Sequence, residues 1–270
     1  MKGDSPYTAP SFIHQSLSQL TSPSPGNVVC VVVNTREWVA HLTFFWQVLI
    51  VDEQLRAQHF HFASDRQRYV ITRGLLRFLI SHYIQENPRQ ITFIYNPYGK
   101  PGLAQLQTSD PKPTLQFNVA HSGDYAFYAF TLGCAAQAAI GSDIEQIRAL
   151  ANHREIADYI LAAQEKSIFQ RLTVEQQMEM ILYCWTCKEA YLKALGVGLS
   201  THIQPYSVDL VQSPDMLGAE GWLSRTPSNS SIYFFKPTPH LMASVSVPGG
   251  SWNIQLVHIR TNWTRRNGET

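Results

Sequence analysis

The chain has 270 residues, 44% of them hydrophobic, and a formal net charge of +1, which supplies a full core for one large or two modest domains and excludes disorder throughout. With no global basic excess, nucleic acid is not favoured as a partner, and any grip on an anion must come from a local cluster. No run approaches the roughly 18–20 apolar residues of a membrane span, and the start "MKGDSPYTAPSF" lacks a secretory apolar core, so a cytoplasmic protein without membrane attachment is expected.

Residues 1–26, rich in Ser, Pro and Gln, predict a loosely held segment. The β-branched run "NVVCVVVN" reads as a buried strand, and "EQLRAQHFHF" as a short helix. Ser64, with Gln67 three places on, offers a capping box for a long helix through "DRQRYVITRGLLRFLISHYI". Its apolar stripe is Ile71, Leu75 and Phe78, with Arg66, Arg73 and Arg77 on another face, solvated or holding a phosphate. A strand "ITFIY", a turn "NPYGKPG" and the strands "LQFNVA" and "YAFYAFTL", joined by the turn "HSGD", follow.

The next strand contains "AIGSDIEQ". Alternation puts Gly141, Asp143 and Glu145 on one face and Ile140, Ser142 and Ile144 on the other, with the two acids roughly 6.6 Å apart along the strand. Two anions that close need a cation or a proton between them, unless the strand end simply runs into solvent. "REIADYILAAQEKSIFQRL" reads as helix, leading into a long helix that ends at Gly196, a C-cap residue, with Gly198 keeping the next turn open. Strands around "SVDLV", "SIYFF", "MASVSV" and "WNIQLVHI" close the chain. The expected fold is α+β: two similar lobes at 27–136 and 137–270, the second carrying the metal site.

The second long helix brings a third acid. Glu189 falls on the apolar stripe of Leu182, Trp185 and Leu192, where a carboxylate costs several kcal/mol unless it is paired or metal-bound; an ordinary surface pair with Lys193, one turn on, is the competing reading. Asp143, Glu145 and Glu189 together make an all-oxygen site suited to Mg²⁺. Lys193, Lys100 in a glycine-flanked turn and His121 in another supply positive charge for a phosphorylated ligand, so the residues describe a magnesium site built for a diphosphate. Of Cys30, Cys134, Cys184 and Cys187, the last two form a CxxC inside a helix with no further ligands, which argues against redox or zinc chemistry.

Four elements in order, "NPYGKP", "FNVAHSG", "GSDIE" and "WTCKEAYLKALGVGLS", resemble the Sfp-type 4′-phosphopantetheinyl transferases from about Arg56 to Val208. The resemblance implies a pseudo-dimer of two lobes in one chain, acting as a monomer, with coenzyme A between them. The implied reaction moves phosphopantetheine from coenzyme A to a serine of an apo acyl, peptidyl or aryl carrier protein, releasing adenosine 3′,5′-bisphosphate. It implies Asp143, Glu145 and Glu189 as ligands of Mg²⁺ (or Mn²⁺), Glu189 as the group that activates the serine, and Lys193 as the holder of the diphosphate. Arg56, Lys100 and His121 are implied at the nucleotide end; the role of Lys188 stays open. Ala120, where the family usually has Ser or Thr, removes a phosphate donor worth about 0.5–1.5 kcal/mol. Ser142, where Ile or Val is usual, faces away from the acids. A magnesium-dependent nucleotide or diphosphate hydrolase, and a non-catalytic protein that binds coenzyme A or carriers, are the alternatives.

Overall fold

The computed structural model describes residues 17, 20–104, 114–133, 140–148, 152–197, 222–225 (backbone) and 230–261. Strand β1 (Asn27–Asn34) leads through a 3₁₀ turn (Thr35–His41) into helices α1 (Leu42–Val48), α2 (Val51–Gln58) and α3 (Ala63–Ile84), and a small hairpin of β2 (Phe93–Tyr95) and β3 (Pro101–Leu103) follows. Strands β4 (Thr114–Ser122), β5 (Tyr125–Gly133) and β6 (Gly141–Gln146) precede helices α4 (His153–Ile160), α5 (Ala163–Phe169) and α6 (Val174–Leu195). The remaining strands are β7 (Trp222–Arg225), β8 (Ser230–Thr238), β9 (Leu241–Pro248) and β10 (Asn253–Ile259). No helix among the described residues is long and apolar enough to cross a membrane.

The strands form two four-stranded sheets, ordered β10-β1-β5-β4 and β6-β9-β8-β7. In the first, β5 lies antiparallel to both β1 and β4; in the second, β9 lies antiparallel to both β6 and β8. Each half therefore repeats one plan: a first strand, a long helix, then two strands of which the last pairs with the first. The sheets stack between the long helices. Val29, Val31 and Val33 of β1 pack with Ile71, Leu75 and Phe78 of α3. The alternate residues Val28, Cys30 and Val32 pack against Ile144, Ala243 and Val245 of the other sheet. A strand buried on both faces needs apolar residues throughout, which explains the unbroken β-branched run. Met242 and Phe234 then meet Ile181, Cys184 and Tyr191 on the far side, under α6.

Four features depart from the sequence reading. Helix α3 starts at Ala63 behind Phe62, which has no side-chain cap, so Ser64 lies inside the helix and does not cap it. Arg77 is fully buried rather than solvated or phosphate-binding. The expected helix after the acids is broken at Leu161 and Ala162, both extended, into α4 and α5. The last strand, β10, pairs in parallel with β1, so a division at 136/137 leaves the end of the chain in the sheet of the first lobe. Most of residues 1–26, Cys134, Gly198 and the "SVDLV" strand lie outside the described residues.

The buried arginine and the broken helix have a common cause. The guanidinium of Arg77 donates to Glu53 Oε2 at 2.7 Å and Oε1 at 3.0 Å, and to the carbonyls of Pro88 and Ile91 at 2.6 and 3.1 Å. Glu53 also accepts from the Ile50 N–H at the start of α2. In the second lobe the Lys188 ammonium donates to Glu165 at 2.6 Å and to the Ile160 carbonyl at 2.7 Å, while Glu165 accepts from the Ala162 N–H at the start of α5. Lys188 thus holds the end of α4 against the start of α5. Arg77 and Lys188 stand at the same distance from the first residue of a 22-residue helix, Ala63 in one lobe and Val174 in the other.

Breaking a fully buried ion pair by removing one partner leaves an uncompensated charge and costs about 3–5 kcal/mol. Lys188→Met is therefore expected to lose that much stability in denaturant unfolding, and Lys188→Met with Glu165→Gln to lose less than the single change. A single variant as stable as the parent would show that the pair does not hold the break between α4 and α5.

Candidate functional site

Strand β6 places its acids by the alternation its sequence implies. A Cβ on Gly141 would sit 2.0 Å from the Ala190 carbonyl oxygen and 2.3 Å from the Ala194 nitrogen, so the backbone of α6 lies directly against this position. Asp143 shares that face and meets Lys193 of α6, Nζ to Oδ1 at 2.6 Å. On the other face, Asn118 Oδ1 accepts from Ser142 N at 2.9 Å and Ser142 Oγ at 3.1 Å, and Ile144 enters the core between the sheets. Ser142 thus packs away from the acids, as expected.

Asp143 and Glu189 are held close enough to their neighbouring acids to be perturbed by them. Burial raises Asp143 from 3.8 to about 7; Lys193 opposes the shift, and Glu145 and Glu189 add to it. Glu189 is raised by burial and by Glu145, against Lys193. It occupies the buried stripe of α6 with Leu182 and Leu192. Glu145 accepts from the Ser122 hydroxyl at 2.6 Å, so a residue of the first lobe reaches the second lobe's acid. Among the described residues no three His, Cys, Asp or Glu side chains stand at spacing that could already hold a metal ion. Lys193 takes Asp143 Oδ1 and Ser122 takes Glu145 Oε2, while Asp143 Oδ2 is buried with no hydrogen-bond partner in the structure. A buried, unpartnered carboxylate oxygen beside two further carboxylates is a hard-oxygen donor set suited to a divalent cation.

Beside the acids, the first lobe forms a cleft of about 400 Å³ whose walls include Arg56, Arg68, Arg73, His121, Tyr69 and Tyr95. His121 lies at the end of β4, paired with Ala126, and not in a turn. Burial lowers its pKa, Lys193 and Arg68 lower it further, and Glu145 opposes them, so it stands within reach of both the cleft and the acid cluster. Arg56 lies 5.7 Å from the centre of the Tyr69 ring and has no acidic partner among the described residues. Arg68 is tied to Asp65 and Asp124, and Arg73 to Glu53 and the Tyr95 hydroxyl. Arg68 escaped the sequence reading; its signal was the helical spacing of Asp65, Arg68, Tyr69, Thr72 and Leu76, which all line the cleft.

Lys100 is not brought to this cleft, although Gly99 and Pro101 line it. Its ammonium donates to the carbonyls of Ile140 at 2.8 Å, Lys193 at 2.6 Å and Ala194 at 3.5 Å, and burial pulls its pKa down to about 8. Lys188 belongs to the structural pair described above. Cys184 and Cys187 are buried inside α6, with burial raising both thiols, and Cys187 Sγ lies 3.3 Å from Ser244 Oγ.

Comparison with known proteins matches both halves of the chain. A family model described as "4′-phosphopantetheinyl transferase, N-terminal" covers residues 36–132, and one described as "4′-phosphopantetheinyl transferase superfamily" covers 139–240. The chain is 30% identical over 207 residues to the 4′-phosphopantetheinyl transferase HetI of Nostoc sp., covering 77% of this chain and 81% of that one. It is 31% identical over 182 residues to AcpT of Escherichia coli K12, covering 67% and 81%, and 28% identical over 168 residues to Sfp of Bacillus subtilis, covering 62% and 69%.

The contact at Gly141 sets the spacing of the acid cluster, and any side chain there must push α6 away. Overpacking of this kind costs about 1–3 kcal/mol, or more where backbone is the obstacle. Gly141→Ala is expected to lose at least that in denaturant unfolding, and to open the 2.6 Å contact between Lys193 Nζ and Asp143 Oδ1. An unchanged midpoint would mean that the helix yields freely and that the close approach is not required.

Proposed function

The chain belongs to the 4′-phosphopantetheinyl transferase superfamily, and from that premise we propose that it transfers 4′-phosphopantetheine from coenzyme A to a serine hydroxyl of an apo acyl or peptidyl carrier protein. The observation that carries the reading is the adjacency of two half-sites. A cationic, aromatic-lined cleft on one lobe adjoins a three-carboxylate cluster with Lys193 on the other, and His121 feels both.

In this reading the serine oxygen attacks the phosphorus that bears pantetheine, the new P–O bond forms, and the bridging P–O bond to the nucleotide breaks. Adenosine 3′,5′-bisphosphate leaves with the electron pair. Glu189, whose proton affinity is raised by burial, takes the serine proton. Lys193 offsets the charge that gathers on the 5′-phosphate of the leaving bisphosphate as the diphosphate bridge breaks. Asp143, Glu145 and Glu189 would hold Mg²⁺, or Mn²⁺ in its place, and the unpartnered Oδ2 of Asp143 is the feature that supports it. When bound, that cation supplies Lewis-acid neutralisation of the diphosphate. At the nucleotide end, Arg56 and His121 line the cleft where the 3′-phosphate would lie, and Lys100 leaves that set because three carbonyls take its ammonium. Ala120 is buried between the sheets, so the hydroxyl usual in the family has no counterpart on that face. Because the two lobes of one chain supply both half-sites, a monomer suffices.

Intact mass spectrometry tests the reading: with Mg²⁺ and coenzyme A, an apo carrier should gain one phosphopantetheine, and its serine-to-alanine variant none. A hydrolase would consume coenzyme A and leave the carrier mass unchanged; a mere binder would consume nothing. Glu189→Gln and Asp143→Ala are expected to lower kcat by about 10²–10⁴-fold, the usual worth of a proton-transfer group or metal ligand at a reacting centre. Protons compete with a cation for Asp143, so Mg²⁺ affinity in calorimetry should fall as pH drops through about 7. Full activity in excess chelator would remove the metal from the proposal.

A further inference from the structure

The "NPYGKP" segment sits in the first lobe, yet its Asn96 and Lys100 side chains bind the second. Asn96 shapes the turn: its Oδ1 accepts from the backbone N–H of Tyr98 at 3.0 Å and of Lys100 at 2.9 Å. Backbone bonds from Asn96 N to the Lys100 carbonyl and from Gly99 N to the Asn96 carbonyl close it, with Gly99 at φ +83°. What remains of Asn96 points outward, and Nδ2 donates to the carbonyl of Gly196, the C-cap of α6, at 2.8 Å. Lys100, aimed by the same turn, places its ammonium on the carbonyls of Ile140, Lys193 and Ala194.

Those acceptors identify the purpose. The last carbonyls of a helix have no partners within it and form the negative end of its dipole, so a cation and an amide donor are both favoured there. One ammonium also joins the two elements whose side chains meet in the site, since it holds the backbone of Lys193 on α6 and of Ile140, which leads into the acid-bearing β6. The Lys193–Asp143 pair at 2.6 Å is built from these same two backbones.

We infer that the Asn96–Lys100 turn is a clamp between the lobes, in which Asn96 and Lys100 are positioning residues that fix Lys193 against Asp143. This assigns Lys100 to geometry rather than to phosphate recognition. The inference relies on the transferase reading for its kinetic readout alone; its structural readout is independent of any activity.

The test compares Lys100→Met, Lys100→Arg and Asn96→Asp with the parent chain, by hydrogen exchange and by steady-state transfer to an apo carrier. Asn96→Asp keeps the acceptor that shapes the turn and loses the donor to Gly196, so it reads the clamp where Lys100→Met fails to fold. Expected are faster exchange at 140–145 and 190–197, with the first turns of α6 unchanged, and a kcat lower by about 10- to 100-fold, as for a small misplacement of a reacting group. The KM for coenzyme A should move by less than about threefold, with Lys100→Arg between parent and Met in both readouts. Unaltered exchange overturns the clamp whatever the activity does. A rise in KM for coenzyme A that is absent with dephospho-coenzyme A, with kcat preserved, would return Lys100 to the 3′-phosphate. If the parent chain modifies no carrier, the transferase reading falls and the exchange result still decides the clamp.

Discussion

Each half of the molecule is organised around a buried cation that must find its anion. Arg77 on α3 and Lys188 on α6 are wholly out of water, where an unpaired charge is untenable. Each is met by a glutamate, Glu53 or Glu165, that stands three residues inside a shorter helix and caps its start. The pair does in both lobes what apolar packing does not: it fixes the angle and register at which the connecting helices lie along the long one. The surplus donors go to carbonyls, those of Pro88 and Ile91 after α3 for Arg77 and that of Ile160 at the end of α4 for Lys188, which settles these segments as well.

Lys188 and Glu189 are neighbours in sequence, and the helix turns them to different sides. With Lys188 committed to α4 and α5, Glu189 and, one turn on, Lys193 are presented toward β6, where Gly141 admits the helix backbone. The acid cluster is thus a consequence of the structural pair behind it. Burial that would be prohibitive for one ionised carboxylate is eased by Lys193, and what is left shows in the raised proton affinity of Asp143 and Glu189.

The features legible in the sequence were those set by local periodicity. The double-sided burial of β1, the common face of Asp143 and Glu145, the buried setting of Glu189 and the glycine cap at Gly196 all follow from residues within a turn or two. What the sequence concealed depends on distant partners. Nothing near Arg77 distinguishes it from the solvated arginines of the same helix, because its acceptor Glu53 is 24 residues away. Lys100 resembles a phosphate-binding lysine in a glycine turn until its acceptors, 40 to 94 residues on, are in place. The break between α4 and α5 carries no Gly or Pro; a lysine from another helix makes it. Likewise, β10 reads as a strand, and its parallel pairing with β1, at the other end of the chain, is a long-range contact that no local residue declares.

The duplication also shows how little separates a scaffold from a site. The offset that lays Arg77 on Lys188 sets Phe78 against Glu189 and His82 against Lys193. Phe78 fills the core beneath the first sheet, where Glu189 would be a buried charge with no partner. The first lobe therefore keeps the helix, the strand order and the buried pair, and lacks the acid chemistry. Its contribution lies elsewhere: a cleft along α3, a serine on Glu145 and a turn on the end of α6. Two copies of one plan become a single site because each lobe's contacts reach across to the other's working residues, so neither half holds the complete geometry without its counterpart.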